Sequence, residues 1–195
     1  MELVELEITN VAHGGIFVAR HEGRVVFVTD AVDGERVLAQ ITDDKQKSFW
    51  RATTVKVLEP SKHRQEHVWS AASIDQAPDA RAGGAEFGHI TLAHQRELKA
   101  QVLTESLERF AGLSLDGRVG GEAGVSRPIV EGLPGDDESK GTRWRTRVSL
   151  HVGPDGRVGP YAARSHNIIT VRDLPLAVEA IEGLAPLSQR LTPGS

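Results

Sequence analysis

The chain has 195 residues and a formal net charge of −4, with 39% hydrophobic and 26% charged residues. This composition is typical of a globular protein and argues against a strongly basic nucleic-acid binder. No apolar run approaches the ~20 residues that a membrane span needs, and the acidic, alternating N-terminus is unlike a signal peptide. We therefore expect a soluble, cytoplasmic protein. The chain has no cysteine, so it supplies neither a thiolate ligand nor a thiol nucleophile.

Residues 1–60 contain five segments that are typical of short strands. Val4, Leu6 and Ile8 alternate with polar residues, which is the period-two pattern of a half-buried strand. The other predicted strands cover residues 16–20, 24–29, 37–41 and 49–58. Five short strands in so few residues favour a closed barrel, because closure removes exposed sheet edges.

Residues 61–115 change in character. Residues 61–88 are polar, with several histidines and glycines, and are predicted to be a connector with little apolar surface to dock. From Leu92 onward, apolar residues recur at spacings of three and four, which predicts an amphipathic helix. Gly112 is a natural end for this helix.

Residues 116–195 are predicted to form a small antiparallel β-subdomain. Residues 116–141 are rich in glycine and acids and are predicted to be a loop, whereas residues 142–152 alternate as a strand. In that strand Trp144 lies on the apolar face, which favours a core position over a stacking platform, and three arginines lie on the opposite face. Further strands are predicted over 158–163 and 166–171, and a short helix over 176–184. The predicted fold class is thus mainly β with some α.

The positive charge is concentrated in one part of the chain. Residues 143–172 contain six arginines and a single acid, Asp155, within an otherwise acidic protein. Guanidinium groups suit phosphate oxygens, and local patches decide phosphate binding more than the total charge does. The alternative is an arginine face that is merely solvated.

Four motifs occur in order along nearly the whole chain. They are AHGGIFVAR at 12–20, DGERV at 33–37, AGGA at 82–85 and GTRWRTR at 141–147. In this order and spacing the chain resembles the N-terminal part of bacterial RNA uracil-5-methyltransferases. The resemblance implies a TRAM domain, an OB-like RNA-binding barrel, over residues 1–60. It also implies a connector and helix over 61–115, where the family has its iron–sulfur region, and a central β-subdomain over 116–195.

The resemblance implies a function, and the chain departs from the family's pattern in two respects. The expected function is RNA recognition for methylation of uridine in ribosomal or transfer RNA, with S-adenosylmethionine as the methyl donor. Ala82, Ala85 and Leu174 stand where the family carries iron–sulfur cysteines, so no cluster is expected. The cysteine nucleophile, the acidic base and the cofactor-binding loop are also missing, which suggests truncation after Ser195. The alternatives are a stand-alone RNA-binding module and, less favoured, a protein-interaction domain.

The candidate RNA-binding residues come from the barrel and from the arginine-rich strand. They are His13, Arg20, Lys45, Lys47, Trp50, Arg51, Arg143, Arg145 and Arg147. The alternatives left open are barrel core for Trp50, as also for Phe17, and backbone capping for His13. No catalytic, cofactor-binding or metal-ligating residue is predicted.

Four histidines, His63, His67, His89 and His94, suggest a metal at first sight. However, His89 and His94 are five residues apart, unlike the i, i+4 pairs of helical zinc sites. RNA is the expected partner, with no membrane, and we expect a monomer.

Overall fold

The structure, a computed structural model, describes residues 2–113, 115, 118–119, 122–123 and 126–192. Its strands are β1 (Leu3–Ala12), β2 (Ile16–His21), β3 (Arg24–Thr29), β4 (Arg36–Asp43), β5 (Phe49–Glu59), β6 (Arg118–Val119), β7 (Glu122–Ala123), β8 (His151–Val152) and β9 (Val158–Gly159). Its helices are α1 (Leu92–Ala111) and α2 (Glu179–Leu184), with 3₁₀ turns at Ser70–Ala72 and Pro78–Ala80.

The five N-terminal strands form a closed barrel in the order β1-β2-β3-β5-β4. All pairs are antiparallel except β3 and β5, and pairing of β4 with β1 closes the barrel. Along β1 the residues Val4, Leu6 and Ile8 point into the core, as their alternation with exposed residues predicts. The predicted barrel is confirmed, and so is a mainly β fold with few helices.

The barrel core extends beyond the barrel. Phe17 is 1% exposed and lies in the same apolar cluster as Ile90 and Leu98, with Phe87 packed against it. The prediction of a connector with little apolar surface to dock is therefore wrong. After a mostly polar stretch, a short apolar segment with Phe87 and Ile90 covers the barrel beside the start of α1. Phe17 is a core residue, as one of the two sequence interpretations has it.

Polar contacts also attach the connector to the barrel. The guanidinium of Arg64 donates to the buried carboxylate of Glu35, with an Nε–Oε1 distance of 2.5 Å. Arg81, which is 2% exposed, pairs with Asp30 at 2.8 Å and donates to the carbonyl oxygen of Thr54. Arg81 is buried and Arg64 is partly buried, and each cation is compensated by a carboxylate from the segment between β3 and β4.

Helix α1 matches the prediction in type and in extent. It ends at Gly112, whose φ of 64° is the left-handed conformation that glycine adopts without strain. Only His94 and Leu98 of the helix are buried, so it rests on the barrel through its first half. No helix in the described part of the chain is long and apolar enough to span a membrane.

The C-terminal part differs most from the prediction. The predicted strand over 142–152 is wrong except for β8. Arg143 has a φ of 60°, and Arg143 and Arg145 donate backbone N–H groups to the carbonyls of Pro175 and Leu176. Residues 143–145 therefore bond to an irregular segment rather than to a strand. As a result, successive side chains do not alternate between two faces of a sheet.

The other C-terminal elements are also shorter than predicted. The predicted strands at 158–163 and 166–171 reduce to β9 and a single bridge between Tyr161 and Ile168. Helix α2 starts at Glu179 rather than at residue 176. The predicted loop at 116–141 lies partly outside the described residues, and β6 and β7 fall within it. The domain boundaries stay a prediction.

Candidate nucleic-acid interface

A groove of about 880 Å³ lies between residues 144–149 and residues 160–165. Arg145, Arg147 and Arg164 line it, and Glu86 is the one carboxylate among its described lining residues. We call it the arginine groove. The excess of cations favours a polyanionic ligand over a neutral or cationic one.

Trp144 lies in this groove rather than in a core. It is 57% exposed, and the guanidinium of Arg145 lies 4.8 Å from its ring centroid. The prediction that Trp144 is a core residue is wrong, because residues 142–150 form no regular strand and so have no apolar face. An exposed indole beside a cation is a suitable platform for a planar ligand.

Tyr161 provides a second aromatic group in the groove. Its ring is stacked on His151, with centroids 3.6 Å apart and an angle of 9° between the planes. His166 meets the tyrosine ring edge-on at 5.2 Å. The β8–β9 ladder and the bridge from Tyr161 to Ile168 hold these rings in place.

The three predicted arginines do not share one face. Arg143 does not line the groove; it is paired with Glu182 and also donates to the carbonyl of Ala177. The N–H of Leu174 and the Arg143 guanidinium hold the pKa of Glu182 below its usual value, and this pairing raises the pKa of Arg143.

Arg145 and Arg147 differ in how far they are already engaged. Arg145 donates to the carbonyl of Gly84 at 2.5 Å, which fixes its guanidinium beside Trp144. Arg147 is exposed and has no hydrogen bond or ion pair with the part of the chain that the structure describes. Of the three, Arg147 is thus the most available to an outside ligand.

Arg164 connects the groove to the barrel. Burial, together with the nearby charge of Arg51, lowers the pKa of Arg164. Arg51 lies 5.5 Å from the ring centroid of Phe49, whose ring meets Phe27 edge-on at 5.5 Å. A strip of cationic and aromatic groups therefore continues from the groove onto the outer surface of β3 and β5.

The remaining predicted barrel residues lie outside the arginine groove. Lys45 and Lys47 are exposed in the loop between β4 and β5, and Arg20 is exposed on β2. Trp50 is half-buried against the barrel core, with the Arg24 guanidinium 4.7 Å from its ring centroid. The structure thus shows a partial core position for Trp50, and its contact with RNA stays a prediction.

His13 lies in a second groove of about 670 Å³ on the other side of Trp144 and Arg145. Lys99 and Lys140 line this groove as well. Trp144 and Arg145 therefore form the wall between two grooves, and the predicted residues His13 and Arg145 lie on a continuous surface.

Sequence reasoning missed Tyr161, His151 and Arg164 as members of this surface. Arg164 was counted in the basic segment, but nothing in its local pattern distinguishes it from Arg157 or Arg172. Tyr161 is the only tyrosine of the chain, which is a weak signal. Their assembly depends on the irregular C-terminal path, which local periodicity does not encode.

Comparison with known proteins identifies the barrel. Residues 2–49 match the TRAM domain family. The chain carries a TRAM domain. The match covers β1 to β4 and reaches the start of β5 in the barrel described above, and Arg164 of the arginine groove lies near Arg51 on β5.

Similarity to curated proteins extends beyond the TRAM barrel. The chain is 38% identical over 197 aligned positions to an uncharacterised RNA methyltransferase of Streptomyces coelicolor, covering 99% of this chain and 40% of that protein. It is 32% identical to an uncharacterised RNA methyltransferase of Bifidobacterium longum, covering 95% of this chain and 40% of that one. The 23S rRNA (uracil(1939)-C(5))-methyltransferase of Shewanella denitrificans is 29% identical, with coverages of 93% and 36%. The chain thus spans about two fifths of the length of these relatives.

The positions that sequence analysis compared with iron–sulfur cysteines are apolar and buried. Ala82, Ala85 and Leu174 are 3%, 8% and 4% exposed and lie in one cluster with Trp69. The indole N–H of Trp69 donates to Asp173 at 2.9 Å, which joins the connector to the C-terminal part. These side chains offer no ligand atom, so the residues present do not fit an iron–sulfur cluster.

Proposed function

We propose that this chain is the RNA-recognition portion of an RNA (uracil-5-)-methyltransferase acting on ribosomal or transfer RNA. The observation that carries the proposal is the arginine groove, which Arg145, Arg147 and Arg164 line together with the exposed ring of Trp144. Guanidinium groups bind phosphate oxygens, and an exposed ring stacks on bases whatever their sequence. The TRAM barrel and the names of the relatives support the same class of ligand.

The proposed RNA path starts in the arginine groove and continues over the barrel. Arg147 would contact a phosphate first, because it is exposed and has no described partner to leave. Arg164 and Arg51 extend the positive surface toward Phe49 and the lysines of the β4–β5 loop. Arg20, Lys45, Lys47 and Trp50 would contact RNA only if it wraps that far around the barrel.

The methyl-transfer chemistry is proposed for the whole protein rather than for this chain. S-adenosylmethionine would supply the methyl group there. No described segment places a strand, a glycine-rich loop and a helix in succession with a downstream acid, so the described residues do not fit this cofactor. With no cysteine, the chain also lacks the thiolate that uracil C5 chemistry requires.

The test is the binding of a single-stranded RNA oligonucleotide to the full chain, measured by fluorescence anisotropy at several salt concentrations. We expect Arg147→Ala combined with Arg164→Ala to weaken binding. The double substitution should also flatten the plot of log affinity against log salt by about 0.7 per lost phosphate contact. Trp144→Ala should cost about 1–3 kcal/mol of binding, which is typical of a lost stacking platform.

The matched control is Arg109→Ala combined with Arg127→Ala, which removes the same charge at exposed positions outside the groove. If both double variants change affinity and salt slope equally, the RNA responds only to net charge and the groove has no special role. RNA binding by the wild-type chain that none of these substitutions changes would move the interface elsewhere.

A further inference from the structure

A second cluster of side chains, which carry atoms able to bind a metal ion, lies where the connector, α1 and the barrel meet. Among the described residues, His63, His94 and Glu97 place one ligand atom each within 4.8 Å of one another. His94 and Glu97 are three residues apart in the first turns of α1. The N–H of Thr91 donates to the carbonyl of His63 at 2.8 Å, which fixes His63 beside the start of the helix.

The ring of His94 has a carboxylate at each nitrogen. Nε2 lies 2.8 Å from Oδ1 of Asp33, and Nδ1 lies 2.7 Å from Oε2 of Glu97. A neutral imidazole has one N–H, so it can satisfy one of these carboxylates while its other nitrogen directs a lone pair at the second. Satisfying both carboxylates therefore takes a second positive charge, a proton or a metal ion, at the nitrogen that carries no hydrogen.

The surroundings suit a metal ion at this place. The side chain of His94 is 8% exposed, so this histidine is largely shielded from solvent. The side chain of Glu97 is 68% exposed and can shift to admit an ion. His63 stacks on His94 with centroids 3.7 Å apart and planes 7° from parallel. The ligand atoms of the three side chains lie within 4.8 Å of one another, so a movement of the half-buried His63 ring out of this stack and of the Glu97 side chain would let all three reach one ion.

We propose that His63, His94 and Glu97 bind Zn²⁺, with Asp33 orienting His94 through its Nε2–H. Two imidazoles and one carboxylate, with a fourth position for water, are a ligand set that zinc accepts. A carboxylate on the distal nitrogen of a ligating histidine fixes its tautomer and strengthens it as a ligand. The four residues come from the barrel, the connector and α1, so the ion fastens these three elements together.

The spacing of His89 and His94 is the reason that no metal site is predicted from the sequence. The structure uses a different partner: His89 donates to the carbonyl of Ala31 in the core, and His63 comes from the connector instead. The helical pair is His94 and Glu97, whose i, i+3 spacing places both on one face of α1. Thirty residues separate His63 from this pair, so only the docking of the connector shows the set.

The test is calorimetric titration of the full chain with Zn²⁺ at neutral pH, together with the midpoint of thermal unfolding with and without the ion. We expect one ion per chain and a rise in the midpoint. His63→Gln and Glu97→Gln should each weaken binding at least about tenfold and reduce the rise. Asp33→Asn should weaken it by about 10- to 100-fold, as outer-shell substitutions do.

The matched controls are His13→Gln and Glu105→Gln, which remove an exposed histidine and an exposed helical glutamate away from the cluster. Both should bind Zn²⁺ like the wild type. Circular dichroism of each variant without metal separates lost ligation from lost folding. A wild-type chain that binds no Zn²⁺ would mean that a proton alone bridges His94 and Glu97, and the proposal would be wrong. Equal weakening by the control substitutions would indicate unspecific histidine binding and would also overturn it.

Discussion

At the scale of single residues, His89 shows how burial sets the charge of a side chain. It is 3% exposed, and its Nε2–H donates to the carbonyl of Ala31 at 2.9 Å. Burial, followed by the nearby positive charge of Arg64, lowers the pKa of His89 from 6.5 to about 4. His67, whose ring centroid is 6.1 Å away, has its pKa lowered by burial as well.

This low pKa predicts that acid destabilises the fold. The unfolded chain binds a proton at His89 below about pH 6.5, whereas the folded chain binds one only near pH 4. The contribution of the neutral His89 to stability is therefore complete above pH 6.5 and is lost as the pH falls toward 4. Between about pH 7 and pH 5 the loss from this residue should reach roughly 2 kcal/mol. Urea unfolding at the two pH values measures it.

His89→Gln is the matched variant, because its amide can still donate to Ala31 but does not titrate. Its stability should fall less between the two pH values than that of the wild type. His166→Gln, which changes an exposed histidine, should behave like the wild type. If His89→Gln keeps the full pH dependence, the acid sensitivity arises at other groups.

At the scale of elements, α1 is held to the barrel by a narrow contact. Leu98 is 2% exposed and joins the barrel core, whereas Leu103 on the same helix is 45% exposed. Leu98→Ala should therefore lower the free energy of unfolding by about 2–5 kcal/mol, because it leaves a cavity between two elements. Leu103→Ala should cost less than about 1 kcal/mol. Equal effects in urea unfolding would mean that α1 is not docked through Leu98.

At the scale of the whole molecule, an ion pair joins the connector to the barrel. The side chain of Glu35 is fully buried and accepts hydrogen bonds from Arg64, from the N–H of Val32 and from the N–H of Ser61. Arg64→Ala removes the cation and leaves a buried carboxylate. We expect it to lower the free energy of unfolding by about 3–5 kcal/mol.

The control for this prediction is Arg36→Ala, which also breaks ion pairs, to Glu5 and Glu59, but on the exposed barrel surface. Exposed pairs contribute little, because solvent screens them, so stability should hardly change. Chemical unfolding of both variants compares them directly. A small effect for Arg64→Ala would show that water reaches Glu35 once the connector loosens.

How much the sequence predicts depends on how local the signal is. The alternation in β1 and the apolar spacing of α1 are determined by neighbours a few residues away, and both elements form where the pattern places them. The candidate site was predicted less well. Arg145 and Arg147 do line the groove, but Arg143 turns away to Glu182 and Trp144 is exposed. The alternation from 142 to 152 is a genuine pattern, yet only its last two residues, as β8, pair with another strand.

The sequence by itself determined the barrel, the helix and the absence of thiol chemistry, because periodicity, turn glycines and residue types act locally. Only the tertiary structure decided which side chains meet. It brought Tyr161 and Arg164 to Trp144, buried Ala82 with Leu174, and placed His63 against His94. Each of these contacts joins residues far apart in the chain, and packing of the connector and the irregular C-terminal segment against the barrel fixes them. No local pattern encodes that packing, because it depends on the shapes of the surfaces that meet.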